Sequence, residues 1–138
     1  MSDVLGDTYR LTFKSHAYHW NVERPLFYQA HLLTEEHYKS LFAAADALAE
    51  RLRALGQLAP KHMGELVTKS VIKDLNTVPS ARDKVENLQR IHARIATRKH
   101  TLFTLAEAAR DPITADLATQ RAAFHEKATW MLHATAAA

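Results

Sequence analysis

Apolar side chains recur every three to four residues through almost the whole chain, and only a few positions interrupt them. Glycine and proline, which break helices, number 3 and 4 in 138 residues, and cysteine is absent. A spacing of three to four residues places apolar side chains on one face of an α-helix, whereas a half-buried strand needs strict alternation. The sequence therefore predicts an all-α protein, and its length is typical of a single domain over residues 1–138.

The interruptions divide the chain into four long helices and one long connection. The predicted helices run from Val4 to Trp20, from about Leu26 to Leu55, from Ala81 to Arg110 and from Ile113 to about His133. Gly56, the N-cap residue Ser80 and the Asp111-Pro112 break signal helix ends. Residues 57–79 connect the second helix to the third, with one helical turn expected near 67–74. Two helices, a crossover and two more helices predict a ferritin-like four-helix bundle.

Four candidate metal ligands lie on the second predicted helix in a mirror-symmetric arrangement. His31 and Glu35 lie one turn apart near its start, and Asp46 and Glu50 lie one turn apart near its end. Residues four apart share a helix face, so each pair forms a half-site. The half-sites are 15 residues apart, which is about 22 Å along a helix, whereas metal–ligand bonds are about 2 Å long. One copy of the chain therefore cannot complete the site.

Two antiparallel copies of this helix would complete two identical sites. His31 and Glu50 lie at equal distances on either side of a midpoint between residues 40 and 41, and so do Glu35 and Asp46. A two-fold axis at that midpoint would bring the members of each pair together from different copies. His19 joins the set because His19 and His31 each lie 6 residues from Pro25, where we expect a hairpin.

The ligand types indicate which metal such a site would hold. Imidazole and carboxylate suit iron, manganese or zinc, and the absence of thiolates argues against iron–sulfur chemistry. We favour Fe(II)/Fe(III), at a di-iron site or one iron with a weaker second site, and zinc is an expected competitor. An alternative is that Asp46 and Glu50 form only a solvated face beside Arg51 and Arg53. The small apolar residues around them favour close helix contact instead.

Several segments of the chain carry a resemblance to a known family. They are KSHAYHWNV at 14–22, PLFY at 25–28 with His31 and Glu35, DALAER at 46–51, DPITADL at 111–117, HEK at 125–127 and WML at 130–132. Together they span nearly the whole chain and resemble the Dps family, the DNA-binding proteins from starved cells, also called mini-ferritins.

The resemblance implies a fold, an assembly and an activity. It implies a hollow dodecamer of four-helix bundles, built from two-fold dimers, that oxidises Fe(II) at sites between subunits. Hydrogen peroxide would be the preferred oxidant, and stored ferric mineral would protect the cell from oxidative damage. The implied iron ligands are His19, His31, Asp46 and Glu50, with Glu35 nearby. These are the residues that the symmetry argument also selects.

The resemblance also suggests roles for residues outside the ligand set. Trp20 would lie beside the site as a trap for stray oxidising equivalents, although plain core packing explains a tryptophan equally well. For Trp130 core packing is favoured. Asp111 and Asp116 would line an acidic three-fold pore through which iron enters. The alternative for both is ordinary electrostatics at a helix N-terminus.

Composition sets expectations about partners and location. No apolar run approaches the ~20 residues of a membrane span, and no basic leader precedes residue 10, so we expect a cytoplasmic protein without membrane contact. A net charge of +3 and a pI near 9.3 permit attraction to DNA and to the nucleoid. The longest basic run, Arg98-Lys99-His100, is interpreted as a solvated helix face. We therefore expect weak or absent DNA binding.

Two alternatives to a ferroxidase stay open at this point. One is a DNA-associating protective protein without redox activity, and the other is a zinc-binding homologue with little ferroxidase activity. The remaining histidines show no partnered spacing typical of a ligand set; they are His16, His37, His62, His92, His100, His125 and His133.

Overall fold

The computed structural model describes residues 1–137, and Ala138, the last residue of the predicted domain, lies outside them. Five helices and no strands form this part of the chain. They are α1 (Ser2–Asn21), α2 (Phe27–Ala54), α3 (Met63–Lys69), α4 (Ala81–Ala108) and α5 (Pro112–Ala136). The predicted all-α fold is confirmed, and α1 begins two residues earlier than expected.

Local capping signals set most of the helix ends. The Ser80 hydroxyl accepts from the Asp83 N–H and the Asp83 carboxylate accepts from the Ser80 N–H, which forms a capping box at α4. Asp111 caps α5, with Pro112 at the first helical position. After α2, Gly56 adopts a left-handed φ of 83°, a conformation that favours glycine. These ends lie within two residues of those predicted from the sequence.

The helices form two hairpins, α1 with α2 and α4 with α5. The break between α1 and α2 is short, so these helices are antiparallel. Tyr18, near the end of α1, donates to Asn87, near the start of α4, whereas Thr8, near the start of α1, accepts from Lys99, further along α4. Helix α4 is therefore antiparallel to α1 and parallel to α2. A parallel neighbour requires the connection to return along the bundle, which confirms the predicted crossover.

The crossover is held along α1 by two adjacent residues. A Cβ at Gly6 would lie 2.8 Å from the Leu66 carbonyl oxygen, so the absence of a side chain lets α3 pass close to α1. The buried Asp7 carboxylate accepts from the Ser70 hydroxyl at 2.9 Å and from the Val71 N–H at 2.8 Å. The short helix predicted in the connection is present, but it spans Met63–Lys69 and not 67–74, because the chain leaves the helix at Ser70 and the Val71 N–H bonds to Asp7 instead.

Apolar side chains fill most of the space between the four long helices. One buried cluster includes Leu11, Leu41, Leu88 and Leu132, and a second includes Leu5, Leu48 and Leu102. None of the helices in residues 1–137 is both long and apolar enough to cross a membrane.

Candidate metal centre

Two histidines next to the turn of the α1–α2 hairpin form a closely packed pair. The His19 and His31 rings stack with their centroids 3.8 Å apart and an interplanar angle of 18°. His19 Nδ1 donates to the His31 backbone oxygen at 2.8 Å, and His31 Nδ1 donates to the His19 backbone oxygen at 2.9 Å. The predicted hairpin therefore brings these two imidazoles together.

The reciprocal bonds define the tautomer that each ring adopts when it is neutral. A carbonyl oxygen can only accept, so each Nδ1 must carry the hydrogen. Each neutral ring then keeps a lone pair at Nε2, which is the form in which histidine binds a metal ion. An N–H donated to a backbone carbonyl also fixes the orientation of a ligating imidazole. His19 and His31 are thus arranged to present two Nε2 lone pairs.

Aromatic side chains surround the pair. Phe27 stacks on His31 at 5.0 Å, and the Tyr38 ring lies edge-on to His19 at 5.3 Å between centroids. His16 lies against both Tyr38 at 4.3 Å and Trp20 at 3.9 Å. The packing restricts the rotation of the imidazoles.

Neither tryptophan packs in the core of the subunit. Trp20 is 57% exposed and Trp130 is 66% exposed. The core-packing alternative is therefore wrong for both within a single chain. The Trp20 ring contacts the His16 ring, whose centroid lies 6.2 Å from that of His19.

Glu35 lies one helical turn after His31. Lys39 Nζ donates to Glu35 Oε1 at 3.1 Å, and this hydrogen bond and the lysine charge lower the pKa of Glu35, with smaller effects from His19 and His31. The carboxylate is therefore ionised at neutral pH next to the imidazole pair. A hard anionic oxygen beside two imidazole nitrogens suits a ferrous or zinc ion.

Asp46 and Glu50 lie exposed near the other end of α2. The neighbouring arginines bond elsewhere: Arg51 donates to Asp111 Oδ1 at 2.7 Å and to the Thr114 hydroxyl, and Arg53 donates to a backbone carbonyl. The two arginines thus do not pair with these acids, as a salt-bridged helix face would require. Residues 1–137 of one chain bring together no group of three or more ligands placed to hold a metal ion.

Comparisons with known proteins add to this geometry. The ferritin-like domain family matches residues 1–137. An uncharacterised low temperature-induced protein from Nostoc sp. is 36% identical over 134 residues, covering 96% of this chain and 75% of that protein. DNA protection during starvation protein from Brevibacillus brevis is 30% identical over 124 residues, covering 90% of this chain and 83% of that protein. The chain belongs to the Dps family.

Solved Dps structures have the same fold. Dps from Staphylococcus aureus superimposes with a TM-score of 0.92 at 26% identity, covering 96% of this chain and 89% of that one. A Dps protein from Bacillus brevis gives a TM-score of 0.92 at 28% identity with the same coverage. Membership of the Dps family supports a general role in iron storage and protection.

The two acids proposed for a Dps pore have different surroundings in this chain. Asp111 is the N-cap of α5, and hydrogen bonds from Thr114 and then from Arg51 lower its pKa. Asp116 is exposed and accepts a hydrogen bond from Gln120. Asp111 thus already has structural partners, whereas Asp116 has more freedom to meet a cation.

Sequence reasoning missed a group of buried histidines. His92 Nδ1 and His125 Nδ1 lie 2.9 Å apart in the bundle, and the His37 ring lies 5.2 Å from that of His92. The signal was their helical register, because His92 lies on the same face as Leu88 and Ile95, and both of these are buried.

The basic run at residues 98–100 is also different from the prediction. Lys99 is almost completely buried and donates to Thr8, and Arg98 Nε lies 2.7 Å from Asp7 Oδ2. Only His100 is exposed, and it bonds to Glu126. The interpretation as a solvated face is therefore wrong for Arg98 and Lys99.

Proposed function

We propose that this Dps-family protein is a ferroxidase that stores iron. It binds Fe(II) at sites shared between two copies of the chain, oxidises it preferably with hydrogen peroxide and retains the ferric product as mineral. The observation that carries this proposal is the reciprocal bonding of His19 and His31, which leaves two Nε2 lone pairs beside the Glu35 carboxylate.

The sharing of the site follows from the length of α2. His31 and Asp46 lie on one continuous helix, Phe27–Ala54, and are separated by about 22 Å at 1.5 Å per residue. Asp46 borders an apolar depression lined by Tyr9, Phe42 and Leu66, and Phe42 is 61% exposed near the midpoint of the predicted two-fold axis. An apolar surface at that point favours pairing with a second copy, which would bring Asp46 and Glu50 to the histidine pair.

The ligand types suit the proposed chemistry. Imidazole nitrogens bind the ferrous ion, carboxylate oxygens stabilise the ferric product, and few protein ligands leave positions for the oxidant. Two ferrous ions give one electron each to hydrogen peroxide, whose O–O bond breaks and which takes up two protons to form two water molecules. A two-electron reduction avoids release of hydroxyl radical, which is the protective part of the function.

Single substitutions in the two half-sites test this proposal. We expect His31→Ala and Asp46→Ala each to slow peroxide-driven oxidation of anaerobically loaded Fe(II) by ~10-fold or more, since each removes a ligand from every site. Matched controls are His62→Ala, at an exposed histidine in the crossover, and Glu36→Ala, at an exposed acid on α2. Ferric absorbance gives the rate, and size-exclusion chromatography shows that the assembly is retained.

The controls separate the proposal from its alternatives. Wild-type rates in both half-site variants would contradict the shared site. Wild-type oxidation no faster than in buffer, with zinc bound at the same residues, would favour a zinc-binding homologue. Comparing peroxide with oxygen in the same assay tests the oxidant preference.

The assembly and partners follow from the same proposal. We propose a dodecamer built from two-fold dimers, with Asp116 and Asp111 at the pore through which iron enters, in a cytoplasmic protein. We propose weak or absent DNA binding, because in the longest basic run Lys99 is buried and Arg98 is only partly exposed and lies against Asp7. Gel retardation at physiological salt tests this last point.

A further inference from the structure

A pair of histidines links α4 to α5 inside the bundle, away from the proposed metal centre. His92 and His125 are both fully buried, and their Nδ1 atoms lie 2.9 Å apart. A hydrogen bond at this distance needs one Nδ1 with a hydrogen and one without. The Nε2 atoms of both rings are buried and have no hydrogen-bond partner within residues 1–137. The contact therefore depends on at least one neutral imidazole.

The groups around the pair are neutral or cationic. His37 on α2, Lys99 on α4 and Arg121 on α5 all act to lower the pKa of His125, after the dominant effect of burial, and burial also holds the pKa of His92 well below its usual range. The buried acid of α1 is Asp7, which already contacts Arg98 and accepts from the crossover. Within the described chain, no carboxylate acts on either member of the pair.

Proton uptake by the pair would be destabilising in two steps. The first proton makes one ring cationic while it faces Arg121 and Lys99 without an acid to compensate it. The second proton places a hydrogen on both Nδ1 atoms, so the bond between them is lost and the rings repel each other. Helices α4 and α5 form the most extensive helix contact in the bundle. Loss of this bond therefore affects the main hairpin of the fold.

We propose that the His92–His125 contact is an acid-sensitive lock, which holds α4 against α5 while it is neutral and releases them when it takes up protons. The lock makes the subunit open in acid independently of whether a metal is bound. In an iron-storing assembly, opening of this hairpin would release the cargo in an acidic environment.

The sign of the pH effect follows from proton linkage. In the unfolded chain both histidines have a pKa near 6.5, whereas burial lowers the pKa of both in the folded chain. The unfolded state then binds more protons below pH 6.5, so the contribution of the two histidines to stability is complete above this value and is lost as pH falls. Each histidine that stays neutral in the fold raises the equilibrium constant for opening about tenfold per pH unit well below 6.5. Burial lowers the pKa of Lys99 to about 7, so Lys99 changes the pH dependence of stability only above pH 7. The histidines therefore determine the pH dependence in the acidic range.

Amide hydrogen exchange on the assembled protein tests the lock. We expect protection in peptides around His92 and His125 to fall by up to about 60-fold between pH 6 and 5, after correction for the intrinsic exchange rate. The double variant His92→Leu/His125→Leu should lose most of this pH dependence. His62→Leu is the matched control at an exposed histidine and should behave as wild type. An equal pH dependence in the double variant and the wild type would overturn the proposal.

A second measurement does not depend on the folding of any variant. Exchange of the imidazole C2 hydrogen, followed by mass spectrometry in the wild-type assembly, reports the protonation of each histidine. We expect His92 and His125 to stay unprotonated at pH 5.5 as long as the bundle is folded. Titration of the buried pair near 6.5 in the folded protein would refute the lock.

Discussion

Replacement of Asp7 is expected to loosen the crossover and the first helix together. Its carboxylate is completely buried, Oδ1 accepts from the Ser70 hydroxyl and the Val71 N–H, and Oδ2 lies 2.7 Å from Arg98 Nε. The Nε–H bond does not point along this contact, so charge rather than a well-aligned hydrogen bond holds the pair. One side chain thus connects α1, the crossover and α4.

The structure allows the cost of two substitutions to be separated. Asp7→Asn keeps an acceptor for Ser70 and Val71 but removes the charge beside Arg98. Removing one partner of a buried ion pair, so that the other charge stays unpaired, costs ~3–5 kcal/mol of stability. Arg98 is 29% exposed and has Asp3 at 4.0 Å as a second partner, so we expect a loss of about 2 kcal/mol here. Asp7→Ala also leaves the Val71 N–H and the Ser70 hydroxyl without an acceptor, which raises the expected loss to about 4 kcal/mol.

Guanidinium chloride unfolding followed by far-UV circular dichroism measures both losses. The subunit concentration must be the same for all variants, because assembly adds to apparent stability. Glu86→Gln is the control, since Glu86 pairs with Arg82, which is 63% exposed, one turn away on α4; a loss under about 1 kcal/mol is expected. If Asp7→Asn were no more destabilising than Glu86→Gln, Asp7 would not hold the crossover as described.

Two further predictions concern the crossover and the pore. Gly6→Ala should destabilise the protein by ~1–3 kcal/mol, because the new Cβ would lie 2.8 Å from the Leu66 carbonyl oxygen. At Gly64 an added Cβ has no neighbour within 4 Å, so Gly64→Ala should be neutral or stabilising. The denaturant midpoints of the two variants distinguish these outcomes. Asp116→Asn should slow Fe(II) uptake with little change in melting temperature, since Asp116 is exposed, whereas Asp111→Asn should also lower the melting temperature, because it removes the ion pair with Arg51. Unchanged uptake in Asp116→Asn would contradict a role in the pore.

Local chemical signals made most of the fold predictable from the sequence. Ser80, Gly56 and Asp111-Pro112 each act on their own backbone neighbours, so their effect on helix ends does not depend on the rest of the fold. The juxtaposition of His19 and His31 was predictable for a related reason. Both residues lie 6 positions from Pro25, so a hairpin at Pro25 places them at the same height on its two helices. The sharing of the site between copies stays a prediction based on the spacing of ligands along α2.

Features that depend on several helices at once were not predictable in the same way. The place of α3 is set by Gly6 and Asp7 on another helix, which no local pattern in 57–79 reveals. The burial of Lys99 depends on a hydroxyl 91 residues away in sequence, at Thr8. Likewise, His92 and His125 occupy core positions of two different helices, and only their packing makes them partners.

Subunit mixing is the most direct test of a metal site shared between two chains. A dimer of two His31→Ala chains, or of two Asp46→Ala chains, has no intact site. In a mixed dimer of one His31→Ala chain and one Asp46→Ala chain, one site carries both substitutions and the other site carries neither. Random reassembly of an equal mixture should therefore restore about a quarter of the wild-type sites, and with them about a quarter of the peroxide-driven ferroxidase rate. If His31 and Asp46 acted within one chain, every subunit in the mixture would be defective. A rate no higher than that of either variant alone would contradict the shared site.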